Sequence, residues 1–217
     1  MTRRNSARLA GFAYLFYIAV AFPSMVLMSR ATSGDGMAAK LASIAQHATD
    51  VHVAAVLSLL SSCCALALAV SLWAITRDQD ADLAMLGLTC RVAEGVTGAV
   101  SIPATLGLLW LATNAPDPAS AQTLGGFVLE DSPLIAASFF ALGSTLFSWL
   151  LLRGRMIPVA LAWLGVVASI LIVVGLPLQL AGVLRGAVTQ LMWLPMAAFE
   201  IPLGFWLVFK GVAPPEA

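Results

Sequence analysis

At 217 residues the chain is 60% hydrophobic and only 10% charged, with a mean hydropathy of +0.95. A water-soluble domain carries roughly a quarter charged residues, so this balance excludes an ordinary soluble protein. Eleven basic and eleven acidic residues cancel, which offers no global attraction to nucleic acid or anionic lipid and leaves their placement to matter more than their sum, and the three cysteines sit in apolar segments without a C-x-x-C or a His/Cys cluster.

The N-terminus reads MTRRNSAR and turns apolar from Leu9 to Met28. That run is longer than a signal-peptide core and lacks a small-x-small cleavage site. It reads as an uncleaved first membrane helix, with Arg3, Arg4 and Arg8 as topogenic charge. In the polar interval from Ser29 to Asp50, Met37, Ala38, Leu41, Ile44, Ala45 and Ala48 recur at helical spacing. They predict a short amphipathic helix over about 36–48, lying on the outer membrane surface. The second span covers about 51–75 with a small-residue face of Ser58, Ser62, Ala65 and Ala69, and RDQDAD at 77–82 turns the chain.

The third span, 83–112, carries Arg91 and Glu94 one turn apart on a single face. Gly87, Gly98, Ser101 and Thr105 extend that face into a polar, small-residue seam, which neighbouring helices should cover because lipid will not. The interval 115–131 is rich in Pro, Gly and Ala, with three acids and no base, and reads as a loop. Ser132 followed by Pro133 suits a helix start, so the fourth span is placed at 133–152, with Ala137, Ala141, Ser144 and Ser148 on one face and Arg153 and Arg155 as its stop. The fifth covers 158–180 with a Gly165/Ser169 contact, and the sixth covers 188–209, closed by Lys210.

These readings define one all-α domain over 1–217: a polytopic bundle of six transmembrane helices with a short outer interfacial helix. With the N-terminus inside, the inner side holds Arg3, Arg4, Arg8, Arg77, Arg153, Arg155 and Lys210, against Arg30, Lys40 and Arg185 outside. The positive-inside rule then puts both termini in the cytoplasm of a bacterial plasma membrane. Trp73, Trp149 and Trp206 fall at the inner boundary, and Trp110 and Trp193 at the outer one. Three spans per half would make the halves inverted, with the third and sixth helices in corresponding places.

Glu200 lies ten residues before Lys210, and Glu94 eleven residues past Leu83, so both sit roughly 15 Å from the inner boundary. Arg91, Glu94 and Glu200 can therefore meet if the third and sixth helices touch. Each such group costs about 2.5–3.5 kcal/mol at a helix centre on insertion scales, so partners are needed. One base and two acids leave a surplus acid, which makes Glu200 and Glu94 candidate proton carriers. Arg91, Ser101 and Trp193 are the candidate ligand-binding residues. Pro103 and Pro202 would free the carbonyls of Ala99 and Ala198 nearby, either to line a pocket or as kinks satisfied by hydroxyls.

His47, Asp50 and His52 read as interfacial polar residues, since two histidines five apart do not share a helical face, and neither a metal nor a cofactor is called for. No nucleophile elbow, H-E-x-x-H, P-loop or dinucleotide fingerprint is present in the sequence.

ARLAGFAYL near the start, CRVAEG around Arg91 and Glu94, FFALGSTLFSWLLLRGRMIPVALAWLG across spans four and five, and the closing FEIPLGFWLVFKGV resemble the bacterial membrane family catalogued as "domain of unknown function 4386". The resemblance spans nearly the whole chain. It implies a polytopic bacterial membrane protein and brings no activity with it. The residues point first to an intramembrane Arg/Glu pocket for a small amphipathic or lipid-like ligand, with acid catalysis on an isoprenoid or lipid as the form an enzyme would take. A proton-coupled transporter is the first rival reading. The second is a membrane scaffold or regulatory partner whose ion pair is a structural clasp.

Overall fold

A computed structural model of the chain describes residues 2–115, 117–130 and 134–213. Among the described residues there are ten helices and no strand. They are α1 (Arg3–Ala31), α2 (Met37–Gln46), α3 (Ala48–Thr76), α4 (Ala81–Val100), α5 (Ile102–Asn114), α6 (Pro118–Glu130), α7 (Leu134–Arg153), α8 (Val159–Leu180), α9 (Val188–Leu191) and α10 (Leu194–Phe209). Six apolar stretches are long enough to cross a bilayer, the pattern of a multi-pass membrane protein. They lie on α1, α3, α4–α5, α6–α7, α8 and α9–α10.

The spanning helices form a closed ring. Each packs on the next in sequence, α1 on α3, α3 on α4, α4 on α7, α7 on α8 and α8 on α10, and α10 returns to α1. Small residues set the close approaches. A Cβ on Gly11 of α1 would meet the Gly204 carbonyl oxygen of α10 at 2.7 Å, and one on Gly165 of α8 would meet the Phe199 ring at 2.5 Å. Between α1 and α3, the Ser24 hydroxyl donates to the Ala54 carbonyl at 3.0 Å and lies 3.0 Å from the Ser58 hydroxyl. The large apolar side chains that remain exposed, such as Phe12, Phe16, Val56, Val70, Val167 and Phe205, point outwards where acyl chains would lie.

The ring does not contain inverted halves. An in-plane two-fold would reverse the sense in which the second three helices circulate, whereas these six run round the ring one way in sequence order. The correspondence of the third and sixth spans is a coincidence of sequence position.

Several expectations about single elements change. The third span is not one helix over 83–112. It breaks at Ser101, where α4 ends and α5 begins with Pro103 in its first turn, as suits a residue without an N–H. Its 20 residues let α4 cross about 30 Å alone. The interval 115–131 is not simply a loop, because α6 occupies Pro118–Glu130. The carboxylate of Asp117 accepts from the Ser120 hydroxyl and from the backbone N–H groups of Ser120 and Ala119, which caps the helix and holds its carboxyl below the usual carboxylate range. That bonding favours the fold above the ordinary carboxylate pKa and is lost as pH falls through the lowered one. The helix start expected at Ser132 and Pro133 lies outside the described residues. The sixth span begins with the single turn α9 and restarts at α10, with Pro195 in its first turn.

The predicted amphipathic helix is present as α2, but its apolar face does not rest on lipid. Leu41 and Ile44 are buried with Leu108 and Leu109 of α5 and Ala121 of α6 in a second core around the ends of α1 and α3. With 29 residues each, α1 and α3 run to about 43 Å, so they overshoot a ~30 Å hydrocarbon layer and give α2, α5 and α6 something to pack against.

At the opposite end the basic residues gather. Arg153 of α7 bonds Asp80, at 3.4 Å, and Asp80 caps α4 by accepting from the Leu83 N–H at 3.1 Å. The α7 helix ends in a Schellman turn, with Met156 N–H on the Leu151 carbonyl and Arg155 at φ 45°, a position glycine would fill without strain. Replacing Asp80 with alanine removes the cap and should cost about 1 kcal/mol, while Asp80→Asn should retain most of it. Thermal unfolding of the two variants in detergent checks this.

Candidate functional site

Among the described residues, three charged side chains are buried inside the ring. Arg91, Glu94 and Glu200 are 1%, 5% and 6% exposed. The polar seam explains the first two. Gly87 and Arg91 face α7, with a Cβ on Gly87 set to meet the Phe147 ring at 3.1 Å, and Gly95 faces the Ser62 carbonyl of α3 at a similar distance. The N-terminal half of the seam is thus covered, as its composition requires. Its C-terminal half is not: Gly98 and Thr105 are half-buried and Ser101 is exposed.

Arg91 Nη1 approaches Glu94 Oε2 to 3.0 Å, an ion pair by distance. The N–H bonds are not aimed at the carboxylate, however, and none of the three guanidinium nitrogens has a hydrogen-bond partner. The other Glu94 oxygen, Oε1, accepts from the Tyr17 hydroxyl of α1 at 3.3 Å. The guanidinium lies over the Phe140 ring of α7, 4.9 Å from its centre, as a cation–π contact. Phe140 in turn leans on Trp193, with ring centres 5.9 Å apart. The arginine stem passes Gly143, where a Cβ would stand 3.0 Å from Cγ and Cδ, and the buried Ser144 hydroxyl beside it has no partner.

Glu200 reaches the same interior from the opposite wall. Spans α4 and α10 share no packed interface, so the expectation that these helices touch is not met. Their charges face each other across the ring, and Glu200, Tyr14 and Tyr17 lie within electrostatic reach of both Arg91 and Glu94. Among the described residues Glu200 forms no ion pair and no hydrogen bond. The cluster therefore holds one base, two acids and two phenols in a low-dielectric wall, with donors and acceptors that the protein itself does not pair.

Of the predicted site residues, Arg91 and Glu94 meet as an ion pair, Glu200 faces them from the opposite wall, and Trp193 is tied to Arg91 through Phe140. Ser101 lies away from them: its hydroxyl turns back to the Gly98 carbonyl at 2.7 Å at the end of α4. Tyr14, Tyr17, Phe140 and Ser144 were not foreseen. The tyrosines carried a readable signal, being three apart on the α1 face that also buries Ala7 and Ala10. Nothing in the sequence said that this face carries Tyr17 to Glu94. Two surface clefts lie elsewhere, one of about 340 Å³ at the basic end of α1 and α3 and one of about 210 Å³ among α2, α5 and α6. His47 and His52 each place Nδ1 2.9 Å from the backbone carbonyl one turn earlier.

The chain matches no curated protein and no solved structure. One family does match, over residues 9–211, which takes in every span and the whole cluster. The chain belongs to the family described as domain of unknown function (DUF4386).

Proposed function

We propose that the chain binds the polar head of a small amphipathic or lipid-like molecule inside the ring, with Arg91 as the anchor and Glu94 and Glu200 as proton carriers. The observation that carries this reading is the guanidinium of Arg91, buried and without a single hydrogen bond. Leaving a buried charged donor unmade costs a few kcal/mol, whereas a carboxylate or phosphate head would accept two parallel bonds from it. Phe140, Trp193 and Tyr14 offer an aromatic wall to the apolar remainder of such a molecule. Should chemistry follow binding, acid catalysis by Glu200 on an isoprenoid or lipid is the step this geometry favours. The seven-to-three excess of bases at one end supports a bacterial plasma-membrane protein with both termini in the cytoplasm.

Transport by rocking inverted halves finds no counterpart in a one-way ring. A purely structural clasp is favoured by one observation, the close fit of the Arg91 stem against Gly143. The two remaining readings separate in one experiment. Protein purified in mild detergent should retain an acidic amphiphile, detected by mass spectrometry of the organic extract, that a folded Arg91→Gln variant loses. Glu200→Gln should retain it with a flattened pH dependence. Equal retention by wild type and Arg91→Gln leaves only the clasp.

A further inference from the structure

The cleft at the basic end is separate from the Arg91 cluster, and its role does not depend on what that cluster binds. It has a volume of about 340 Å³ and lies between the first turns of α1 and the last turns of α3. Arg3, Arg77 and Asp78 line it together with Leu9, Val70 and Trp73. From the geometry we infer that this cleft is a binding site for one anionic phospholipid of the adjoining leaflet, with the phosphodiester at Arg3 and Arg77 and the first acyl carbons along Leu9 and Val70.

Three features lead there. The first is an unpaired cation: all three guanidinium nitrogens of Arg3 are shielded from solvent and none has a hydrogen-bond partner. The second is a held one. The Arg77 guanidinium lies over the Trp73 ring, 4.8 Å from its centre, while its contact with Asp78 is long, at 3.9 Å, and exposed on both sides. A contact of that kind is worth little, so Arg77 keeps its charge available at the mouth. Two bases against one acid leave a single positive charge, which matches a phosphodiester.

The third feature is the gradient along the cleft. Leu9 lies six residues beyond Arg3, and Val70 seven before Arg77, so polarity changes from guanidinium to hydrocarbon over roughly 10 Å along the helices. Inorganic phosphate would use only the mouth. A glycerophospholipid uses mouth and walls together, and a tryptophan at this level is the side chain expected where headgroup meets chain.

Native mass spectrometry of the full chain with added phosphatidylglycerol, or phosphatidylcholine of the same acyl chains, tests the site. The wild type should hold one phosphatidylglycerol in preference to phosphatidylcholine. Occupancy should fall roughly fivefold for each base removed, in Arg3→Gln and in Arg3→Gln/Arg77→Gln. Arg153→Gln, at the same end but on α7, should leave it unchanged. Millimolar inorganic phosphate should not displace the lipid. Arg3→Gln breaks no interaction seen among the described residues, so it carries the test if the double variant fails to fold. Equal retention of both lipids, unchanged occupancy in Arg3→Gln, displacement by phosphate, or an equal loss in Arg153→Gln would each overturn the assignment.

Discussion

Replacing Arg91 with methionine is expected to destabilise the chain by about 3–5 kcal/mol, the cost of stranding one member of a buried ion pair. Glu94 would keep only the Tyr17 hydroxyl, at 3.3 Å, and would face Glu200 with no cation between them. The same rule makes a second, opposite expectation. Removing both charges in Arg91→Met/Glu94→Gln should recover most of the loss, because a neutral, well-packed pair avoids the desolvation that the ion pair must offset. Equilibrium unfolding in mixed micelles measures both. A single variant within about 1 kcal/mol of wild type, or a double variant no better than the single, would show that the pair does not govern stability. The double variant also serves the functional question, since a folded chain that no longer retains an acidic amphiphile separates binding from folding.

Gly11→Val should have the second-largest effect, roughly 3 kcal/mol, at the upper end of overpacking costs. The reason lies in what a Cβ would meet: the Gly204 carbonyl oxygen and the Val208 nitrogen, both backbone and both at 2.7 Å. A side chain can swing aside, but a helix backbone has to move as a unit. The contact pushed apart is the α1–α10 closure, the one place where the ring joins helices distant in sequence. Gly107 provides the control. A Cβ there meets nothing within 4 Å, so Gly107→Ala should be neutral or slightly stabilising through helix propensity alone. Comparable losses at both positions would mean that the ring is not closed through Gly11.

The two variants probe different depths of the same architecture, and they bear on how a charged cluster survives in an apolar bundle. Arg91 is tolerated because each part of it meets a different neighbour. Gly143 makes room for the stem, Phe140 carries the face of the guanidinium, and Glu94 supplies the counter-charge. Glu200 receives no such attention. A carboxyl group without a hydrogen bond on the opposite wall is the feature a structural clasp does not explain, and it makes the polar interior a candidate site rather than a simple brace.

The sequence by itself determined an all-helical chain with six stretches apolar enough to span a membrane, and it set Arg91, Glu94 and Glu200 at similar residue counts from the span ends. The reason is local: hydropathy and charge act on every residue in place, and a 1.5 Å rise converts residue counts directly into depth. It missed α6 because the Pro, Gly and Ala of the interval read as a loop, and it ran α4 and α5 together because both are apolar through Ser101. Only the tertiary structure decided the order of helices around the ring, and with it which wall each charge occupies. That order placed Glu200 across from Arg91 rather than against it, brought Tyr17 and Phe140 to the pair, and left Ser101 outside. Lipid makes all apolar helix faces nearly equal, so pairing is chosen by the fit of small residues such as Gly11, Gly143 and Gly165, and that fit depends on two helices at once.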